Sequence, residues 1–147
     1  MRLSLQAQYA VCGVFDLAYN GGDEPVQVRV IGDRQRIPSR YLEQIFQRLR
    51  RARIVQGKRG PGGGYTLARP PSEITLRDVI EAVEGPLDRL VARDLAGDAP
   101  ARPGFLWKEL ADTVGAALSG IDFGTLCREA SSRAIPRAHP ESQMYHI

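Results

Sequence analysis

The sequence predicts a mainly α-helical fold with one small β-hairpin wing: a winged helix-turn-helix domain followed by a long dimerisation helix. Three observations predict it. Two short helical segments flank a tight turn at Pro38, which is the helix-turn-helix arrangement. Two short strand-like segments with a glycine-rich connection follow directly, as in a β-hairpin. A helix with a single apolar seam comes later, after a unit that already has the apolar residues for a core.

The first predicted element is an amphipathic helix from Leu5 to Tyr19, because its apolar residues recur every three or four positions. The sequence Asn20-Gly21-Gly22 predicts its end, since these residue types accept the left-handed conformation beyond a helix terminus. The next segment, Val26 to Gln35, fits either a strand or one to two helical turns. We favour a helix because a second helix follows at once.

That second helix is predicted to run from about Ser39 to Arg53. Pro38 disfavours continuation of the preceding helix and suits the first turn of a new one. The face predicted to be buried carries Tyr41, Leu42, Ile45, Phe46 and Leu49. The opposite face carries side chains that can hydrogen-bond base edges or phosphates: Arg40, Glu43, Gln44, Gln47, Arg48 and Arg51.

The predicted hairpin pairs residues 54–59 with residues 65–68, joined by the loop Gly60-Pro61-Gly62-Gly63-Gly64. A phosphate-binding P-loop is the alternative interpretation of such a loop. No Lys-Ser/Thr pair follows it, and it leads into a strand rather than a helix, which disfavours that alternative. Lys58 and Arg59 beside the tip predict a wing that lies against the DNA backbone or in the minor groove.

Further along the chain, Thr75 and Asp78 have the spacing of a capping box and predict a helix that stops near Gly85. The segment 85–104 is predicted to be a linker, either a loop or a short helix at 88–95 followed by a loop. A stronger helix is predicted from about Phe105 to Ser119, and a last one from about 123 to 133, capped by Asp122. Trp107 is expected to be a packing anchor.

The long helix carries apolar residues at steps of four, four, three and four, which form one seam. The seam predicts a dimer interface; the alternative is that this helix folds back on its own domain. The predicted interface residues are Leu106, Leu110, Val114, Ala117 and Ile121. The chain is thus divided into a winged domain (1–84), a linker (85–104), a dimerisation helix with a short C-terminal helix (105–134) and a flexible tail (135–147).

Charge is distributed unevenly along the chain. Residues 34–59 hold nine basic residues and one acidic residue, a net charge of +8, whereas the remainder holds 11 basic and 16 acidic residues, a net charge of −5. A basic segment on an acidic body is typical of a nucleic-acid reader. The two cysteines and the absence of a long apolar run predict a cytoplasmic protein with no membrane association.

Several of these motifs resemble a known family, the IscR/NsrR/CymR-type (Rrf family) winged-helix transcriptional regulators. The resemblance covers residues 1 to about 130. The motifs that carry it are Met1-Arg2-Leu3-Ser4, Tyr9-Ala10-Val11, Tyr41-Leu42-Glu43-Gln44-Ile45-Phe46, Arg59-Gly60-Pro61-Gly62-Gly63-Gly64-Tyr65, Leu106-Trp107 and Asp122-Phe123-Gly124-Thr125-Leu126. It implies a homodimeric transcription factor, usually a repressor, that binds palindromic double-stranded DNA.

The resemblance also implies roles for individual residues. Glu43 and Gln44 fall on the base-reading helix face, and Arg59, with Gly60 and Gly62, falls on the wing. Arg40 and Pro38 replace small polar residues of the family pattern, so the operator sequence does not carry over. From their chemistry alone, Arg48, Arg51 and Lys58 are expected to contact phosphates. For Glu43 the alternative is an ion pair with an arginine on the same helix.

Cluster-binding members of this family place three cysteines between the fourth helix and the dimerisation helix. Here residues 85–105 contain no cysteine and no histidine, and iron–sulfur clusters require thiolate or imidazole ligands. We therefore expect no cofactor and no metal. Sensing would then use a protein partner or a thiol. Cys12 is the candidate redox thiol, although its place on an apolar helix face fits a buried structural role better; Cys127 is similar.

Two other function classes fit the sequence less well. A winged domain that binds a partner protein instead of DNA is the main alternative, and the basic segment argues against it. An enzyme is disfavoured because no nucleophile, acid–base pair or metal-ligand set converges in the sequence. The chain's two histidines, His139 and His146, lie in the tail.

Overall fold

The computed structural model describes residues 2–91 and 99–138. Over these residues the helices and strands follow the predicted order. Their bounds are α1 (Leu5–Asn20), α2 (Val28–Gln35), α3 (Ser39–Arg51), β1 (Val55–Lys58), β2 (Gly64–Leu67), a 3-10 turn (Pro71–Glu73), α4 (Leu76–Glu84), α5 (Leu87–Val91), α6 (Phe105–Ser119) and α7 (Phe123–Ser132). In these described ranges no helix has the length and hydropathy to cross a bilayer.

Helix α1 is the central helix of the winged domain. It begins where the Ser4 hydroxyl accepts a hydrogen bond from the Ala7 backbone N–H at 3.1 Å, the usual N-cap arrangement. It ends at Asn20, one residue later than predicted, and Gly21 is extended (φ −83°, ψ 164°) rather than left-handed. Glycine is favoured there because there is no room for a side chain: a Cβ at Gly21 would lie 2.3 Å from the Leu17 carbonyl oxygen.

The helix-turn-helix starts two residues later than predicted. Val26 exchanges backbone hydrogen bonds with Tyr65 at 2.9 and 2.8 Å, so the strand interpretation was right for Val26 and the helical one for Val28–Gln35. The left-handed conformation of Arg36 (φ 55°) makes the turn into α3 tight. The turn brings Ile37 close to Gly32, where a Cβ would lie 2.6 Å from the Ile37 carbonyl oxygen. The close approach explains why a residue without a side chain stands at position 32.

Helix α3 packs on the core through one narrow stripe. Leu42, Phe46 and Leu49 are fully buried, and the Phe46 ring lies 5.1 Å from that of Tyr65 on β2. The prediction that Tyr41 is buried was wrong: Tyr41 is 42% exposed. One residue before Leu42, its side chain is rotated by about 100° from the buried stripe and lies near Tyr9 instead.

The hairpin pairs β1 and β2 antiparallel, from Val55↔Leu67 to Lys58↔Gly64. The connecting loop depends on backbone conformations that favour glycine: Gly60 has φ 90° and Gly62 has φ 75°. Both positions are surrounded by open space. The loop is therefore a compact, exposed tip that carries no side chain at these two positions.

Helix α4 has the predicted capping box. The Asp78 backbone N–H donates to the Thr75 hydroxyl at 3.1 Å, and the Thr75 backbone N–H donates to the Asp78 carboxylate at 3.0 Å. Helix α5 begins at Leu87; the rest of the helix predicted at 88–95 lies outside the described residues from position 92 onward. Helix α6 packs on α4, and the Arg77 side chain of α4 lies against Gly115 of α6. A Cβ at Gly115 would lie 2.9 Å from Nη1 of Arg77.

Helix α7 returns to the winged domain, which changes the predicted division of the chain. Asp122 caps it as predicted, accepting from the Thr125 backbone N–H at 2.8 Å. The next residue, Phe123, is fully buried in the same core as Phe46. The predicted grouping of α7 with α6 in a unit 105–134 is therefore corrected, because α7 helps to close the core of the winged domain.

The tail prediction also needs a correction over residues 135–138. The Tyr19 hydroxyl donates to the Ile135 carbonyl oxygen at 2.7 Å, and the Arg137 guanidinium lies 4.2 Å above the Tyr19 ring. These residues are thus attached to α1 instead of being frayed. The remainder of the predicted tail, 139–147 with both histidines, lies outside the described residues.

Candidate nucleic-acid interface

A row of hydrogen-bonding side chains runs along the solvent side of α3. Arg40, Gln44, Gln47 and Arg51 follow one another at steps of four, three and four, a spacing that places them on one helix face. All four are exposed, and the row lies opposite the buried stripe of α3. We call these four residues the α3 ridge. Within the described part of the chain, the side chains of Gln44, Gln47 and Arg51 have no hydrogen-bond partner.

Arg40, at the N-terminal end of the ridge, is oriented by its neighbour. Its Nη2 donates to the Tyr41 hydroxyl at 3.2 Å, and its guanidinium carbon lies 4.9 Å from the Tyr41 ring centroid. A guanidinium held beside an aromatic ring loses less side-chain freedom when it binds a further acceptor. The exposure of Tyr41, which the sequence did not predict, therefore places its ring and hydroxyl against Arg40 of the ridge.

Glu43 lies on the flank of the ridge. Its side chain is exposed, and among residues 2–91 and 99–138 it forms no ion pair. The alternative in which Glu43 pairs with an arginine of its own helix is therefore not what the structure contains. Its carboxylate is free to accept a hydrogen bond from an external donor, such as the exocyclic amine of cytosine.

Arg48 lies on the other side of α3, away from the ridge. Its Nη1 donates to the Val83 carbonyl oxygen at 3.2 Å and to the Gln6 side-chain oxygen at 3.1 Å. Val83 belongs to the last turn of α4, where carbonyl groups lack partners within the helix. In the free protomer the Arg48 guanidinium thus caps α4, and its predicted contact with a phosphate stays a prediction.

The wing residues fall into two groups. Arg59, Gly60 and Gly62 lie at the exposed tip of the hairpin, where the predicted contact with the minor groove requires them. Lys58 instead shares a shallow depression with the carboxylate residues Asp23 and Glu24. Lys58 ends β1 next to Arg59 of the tip, and its contact with a phosphate stays a prediction.

A buried ionic network positions the helix-turn-helix, and sequence reasoning missed it. Asp16 on α1 is fully buried and accepts hydrogen bonds from Arg34 Nη2 at 2.7 Å and from Gln35 Nε2 at 3.0 Å. Both donors lie at the C-terminal end of α2, so the network joins α2 to α1 directly before the turn. The signal was present in the sequence as an acidic residue within the apolar segment 14–19.

The predicted dimer seam lies uncovered on α6. Leu106 is 41% exposed, and Leu110 and Ile121 are each 38% exposed; Val114 is half-buried and Ala117 is exposed. The helix packs on its own protomer through a neighbouring face, on which Ala111 and Gly115 are buried and Trp107 is half-buried. The described residues therefore leave the seam partly exposed, and its use as a dimer interface stays a prediction.

The sulfur donors do not fit an iron–sulfur cluster. Cys12 on α1 and Cys127 on α7 are half-buried, and burial raises the pKa of each thiol, although two nearby arginines oppose the rise at Cys127. In the described ranges, no three His, Cys, Asp or Glu side chains are grouped as metal ligands. The segment where cluster-binding relatives place cysteines has no thiol or imidazole in its sequence. A family-type cluster therefore lacks its ligands in this chain.

Comparison with known proteins assigns the family. Residues 3–129 match the Rrf2 family, described as iron-dependent transcriptional regulators. The chain is 38% identical to the HTH-type transcriptional regulator IscR of Escherichia coli, over 86% of this chain and 80% of that protein. It is 36% identical to the IscR of Photobacterium profundum, over 92% of this chain and 80% of that protein.

Solved structures agree with this assignment. The T. potens IscR structure superposes with a TM-score of 0.74 at 30% identity, covering 99% of this chain and 96% of that one. CymR, the global cysteine regulator of B. subtilis, superposes with a TM-score of 0.73 at 27% identity, covering 88% and 98%. The chain therefore belongs to the Rrf2 family: it is a winged-helix, DNA-binding transcriptional regulator and not an enzyme.

Proposed function

We propose that this chain is a cytoplasmic homodimeric repressor that binds a palindromic DNA site without an iron–sulfur cluster. The observation that carries the proposal is the α3 ridge, a row of exposed hydrogen-bonding side chains beside a glycine-tipped wing. Side chains with unused donors and acceptors on a short helix are suited to reading base edges in the major groove.

Within the ridge, each residue type suggests a contact. Gln44 can pair with the N6 and N7 atoms of adenine, and Arg40 can form a two-pronged contact with guanine. Glu43 on the flank can accept from the amine of cytosine. Arg51, at the C-terminal end, is better placed for a phosphate. Arg59 approaches the minor groove, where the absence of side chains at Gly60 and Gly62 lets the wing backbone come close to the duplex.

The dimer rests on the seam of α6. An exposed row of apolar residues on a helix whose other face is already packed favours association with a second copy through the same surface. Two copies related by a twofold axis would present two α3 ridges to one duplex, which is why a palindromic site is proposed. Repression follows if this site overlaps a promoter.

The signal then reaches the dimer through a protein partner or a thiol. A thiol sensor needs a lowered pKa, because the thiolate is the reactive form. Burial raises the pKa of Cys12, which disfavours Cys12 as the sensor and favours a partner protein.

The proposal is tested by fluorescence anisotropy with a labelled duplex from the region upstream of the protein's own gene. Wild-type protein should bind it with an affinity that falls steeply as salt rises. Arg59→Ala should weaken binding while the dimer persists in light scattering. If folded dimer fails to bind any duplex at low salt, the chain is a protein-interaction module and the proposal is wrong.

A further inference from the structure

A groove lies between the C-terminal end of α3 and the strand β1, outside the α3 ridge and the wing tip. It is open to solvent and has a volume of about 590 Å³. Three arginines line it, Arg50, Arg53 and Arg69, together with uncharged residues and no carboxylate. None of these three arginines was assigned a role by the sequence.

Arg50 forms the wall on the side of α3. Its Cδ lies 3.9 Å from the position that a Cβ on Gly57 would occupy, so the aliphatic part of the side chain runs along the glycine of β1. The absence of a side chain at Gly57 keeps the groove open at this point. Within the part of the chain that the structure describes, the Arg50 guanidinium has no ion-pair partner.

Arg53 occupies a backbone conformation that normally favours glycine. Its φ is 60°, and the flanking hydrogen bonds, Arg53 N–H to the Arg50 carbonyl and Ile54 N–H to the Leu49 carbonyl, are both 3.0 Å. These bonds close the end of α3 with a left-handed residue, where glycine is the common choice because it has no Cβ. The side chain of Arg53 is exposed and forms no hydrogen bond or ion pair with the described residues. No such contact within the described protomer therefore offsets the cost of its left-handed backbone conformation.

Arg69 forms the far wall and is anchored. Its Nη1 donates to the Glu73 carbonyl oxygen at 3.1 Å, and its Nη2 lies 3.8 Å from the Asp78 carboxylate. That carboxylate offsets part of the charge of Arg69. The uncompensated positive charge of the groove therefore comes mainly from Arg50 and Arg53.

We propose that this groove binds a backbone phosphate of the DNA duplex, with Arg50 and Arg53 as the residues that contact it. The inference rests on the proposed function and extends its interface. The groove is lined by residues of α3, the helix that carries the ridge, and of β1, the strand that leads to the wing tip. The planar guanidinium fork matches the oxygens of a phosphate, and a backbone contact explains a charged side chain kept at a conformationally costly position.

The decisive variant is Arg53→Gly, because the proposal predicts opposite effects on folding and on binding. Removing the Cβ from a left-handed residue should raise the melting temperature by about 2–5 °C. Binding to a labelled 40-base-pair duplex of mixed sequence should weaken by roughly tenfold at 0.1 M KCl, and the salt slope should fall by about one. Arg50→Gln should weaken binding similarly.

The matched control is Ala134→Gly. Ala134 is also left-handed (φ 56°) at a helix end, so its replacement should raise the melting temperature without changing duplex binding. Arg53→Lys, which keeps the charge, should retain most of the salt slope.

Two results would overturn the inference, and they are distinguishable. If wild-type protein binds the duplex and Arg53→Gly binds it with the same affinity and salt slope, the groove does not hold a phosphate, although the proposed function stands. If wild-type protein binds no duplex at low salt, the proposed function fails and this inference fails with it.

Discussion

Two apolar surfaces of this chain differ in how far their own protomer buries them. In the winged domain, Phe46 and Leu49 are fully buried by the rest of their own protomer. On α6, Leu106 and Leu110 keep 41% and 38% of their surface exposed, although the same helix packs closely through Gly115 on α4. Similar apolar periodicity thus serves folding where the chain closes over it, and we propose that it serves association where α6 leaves it exposed.

Damage to the closed core of the winged domain should have the largest effect. Phe46→Ala should lower the free energy of unfolding by about 3–5 kcal/mol, because it removes a buried ring and leaves a cavity. Urea denaturation followed by circular dichroism measures the loss. Phe46→Leu, which preserves most of the volume, should cost less than about 1.5 kcal/mol; equal losses for the two variants would show that position 46 is not tightly packed.

The second test concerns the buried ionic network of the same domain. Asp16→Ala should lower the free energy of unfolding by about 3 kcal/mol, because it leaves the mostly buried Arg34 guanidinium without its counter-charge. The control is Asp33→Ala, which removes an exposed carboxylate 3.9 Å from Arg29 and should cost less than about 0.5 kcal/mol. Similar small effects at both positions would contradict the role given to Asp16.

The third test addresses the open surface of α6. Leu110→Asp should weaken the dimer by about a hundredfold or more, because a carboxylate would be buried without a partner in the interface. The protomer should stay folded, since Leu110 contributes little to its core. Light scattering at several concentrations measures the dimer, and circular dichroism checks the fold. A variant that remains a dimer would show that the seam is not the interface.

The smallest expected effect separates two arginines of α3. Arg51→Gln should reduce duplex affinity by roughly tenfold and lower the salt slope by about one, because a phosphate contact is lost. Arg48→Gln should leave the slope unchanged and lower the free energy of unfolding by about 1 kcal/mol, because it removes the cap of α4. Anisotropy titrations over a series of salt concentrations distinguish the two variants; a reversed pattern would place Arg48, and not Arg51, at a phosphate.

Local patterns predicted much of this fold. The spacing of Thr75 and Asp78 predicted the capping box, and Asp122 was predicted to cap α7; the hydrogen bonds confirm both. The apolar periodicity of α3 predicted its buried stripe. These features depend on residues within a few positions of one another, so a single sequence contains the information that specifies them.

What the sequence did not predict depends on contacts between distant segments. Arg48 faces α4 because of the angle between two helices, and the pairing of Asp16 with Arg34 spans 18 positions. The return of α7 to the core depends on Phe123 finding space beside α1. The wrong prediction for Tyr41 has a related reason. An aromatic residue next to a buried stripe is buried or exposed according to the width of the groove in which the helix packs.

We propose above that two α3 ridges contact one duplex through a dimer held by the α6 seam. A hydroxyl-radical footprint on the bound upstream duplex is the most direct test of this arrangement. Two patches of protection, related by a twofold axis on opposite halves of the site, are expected. A single patch without that symmetry would show that the arrangement is wrong.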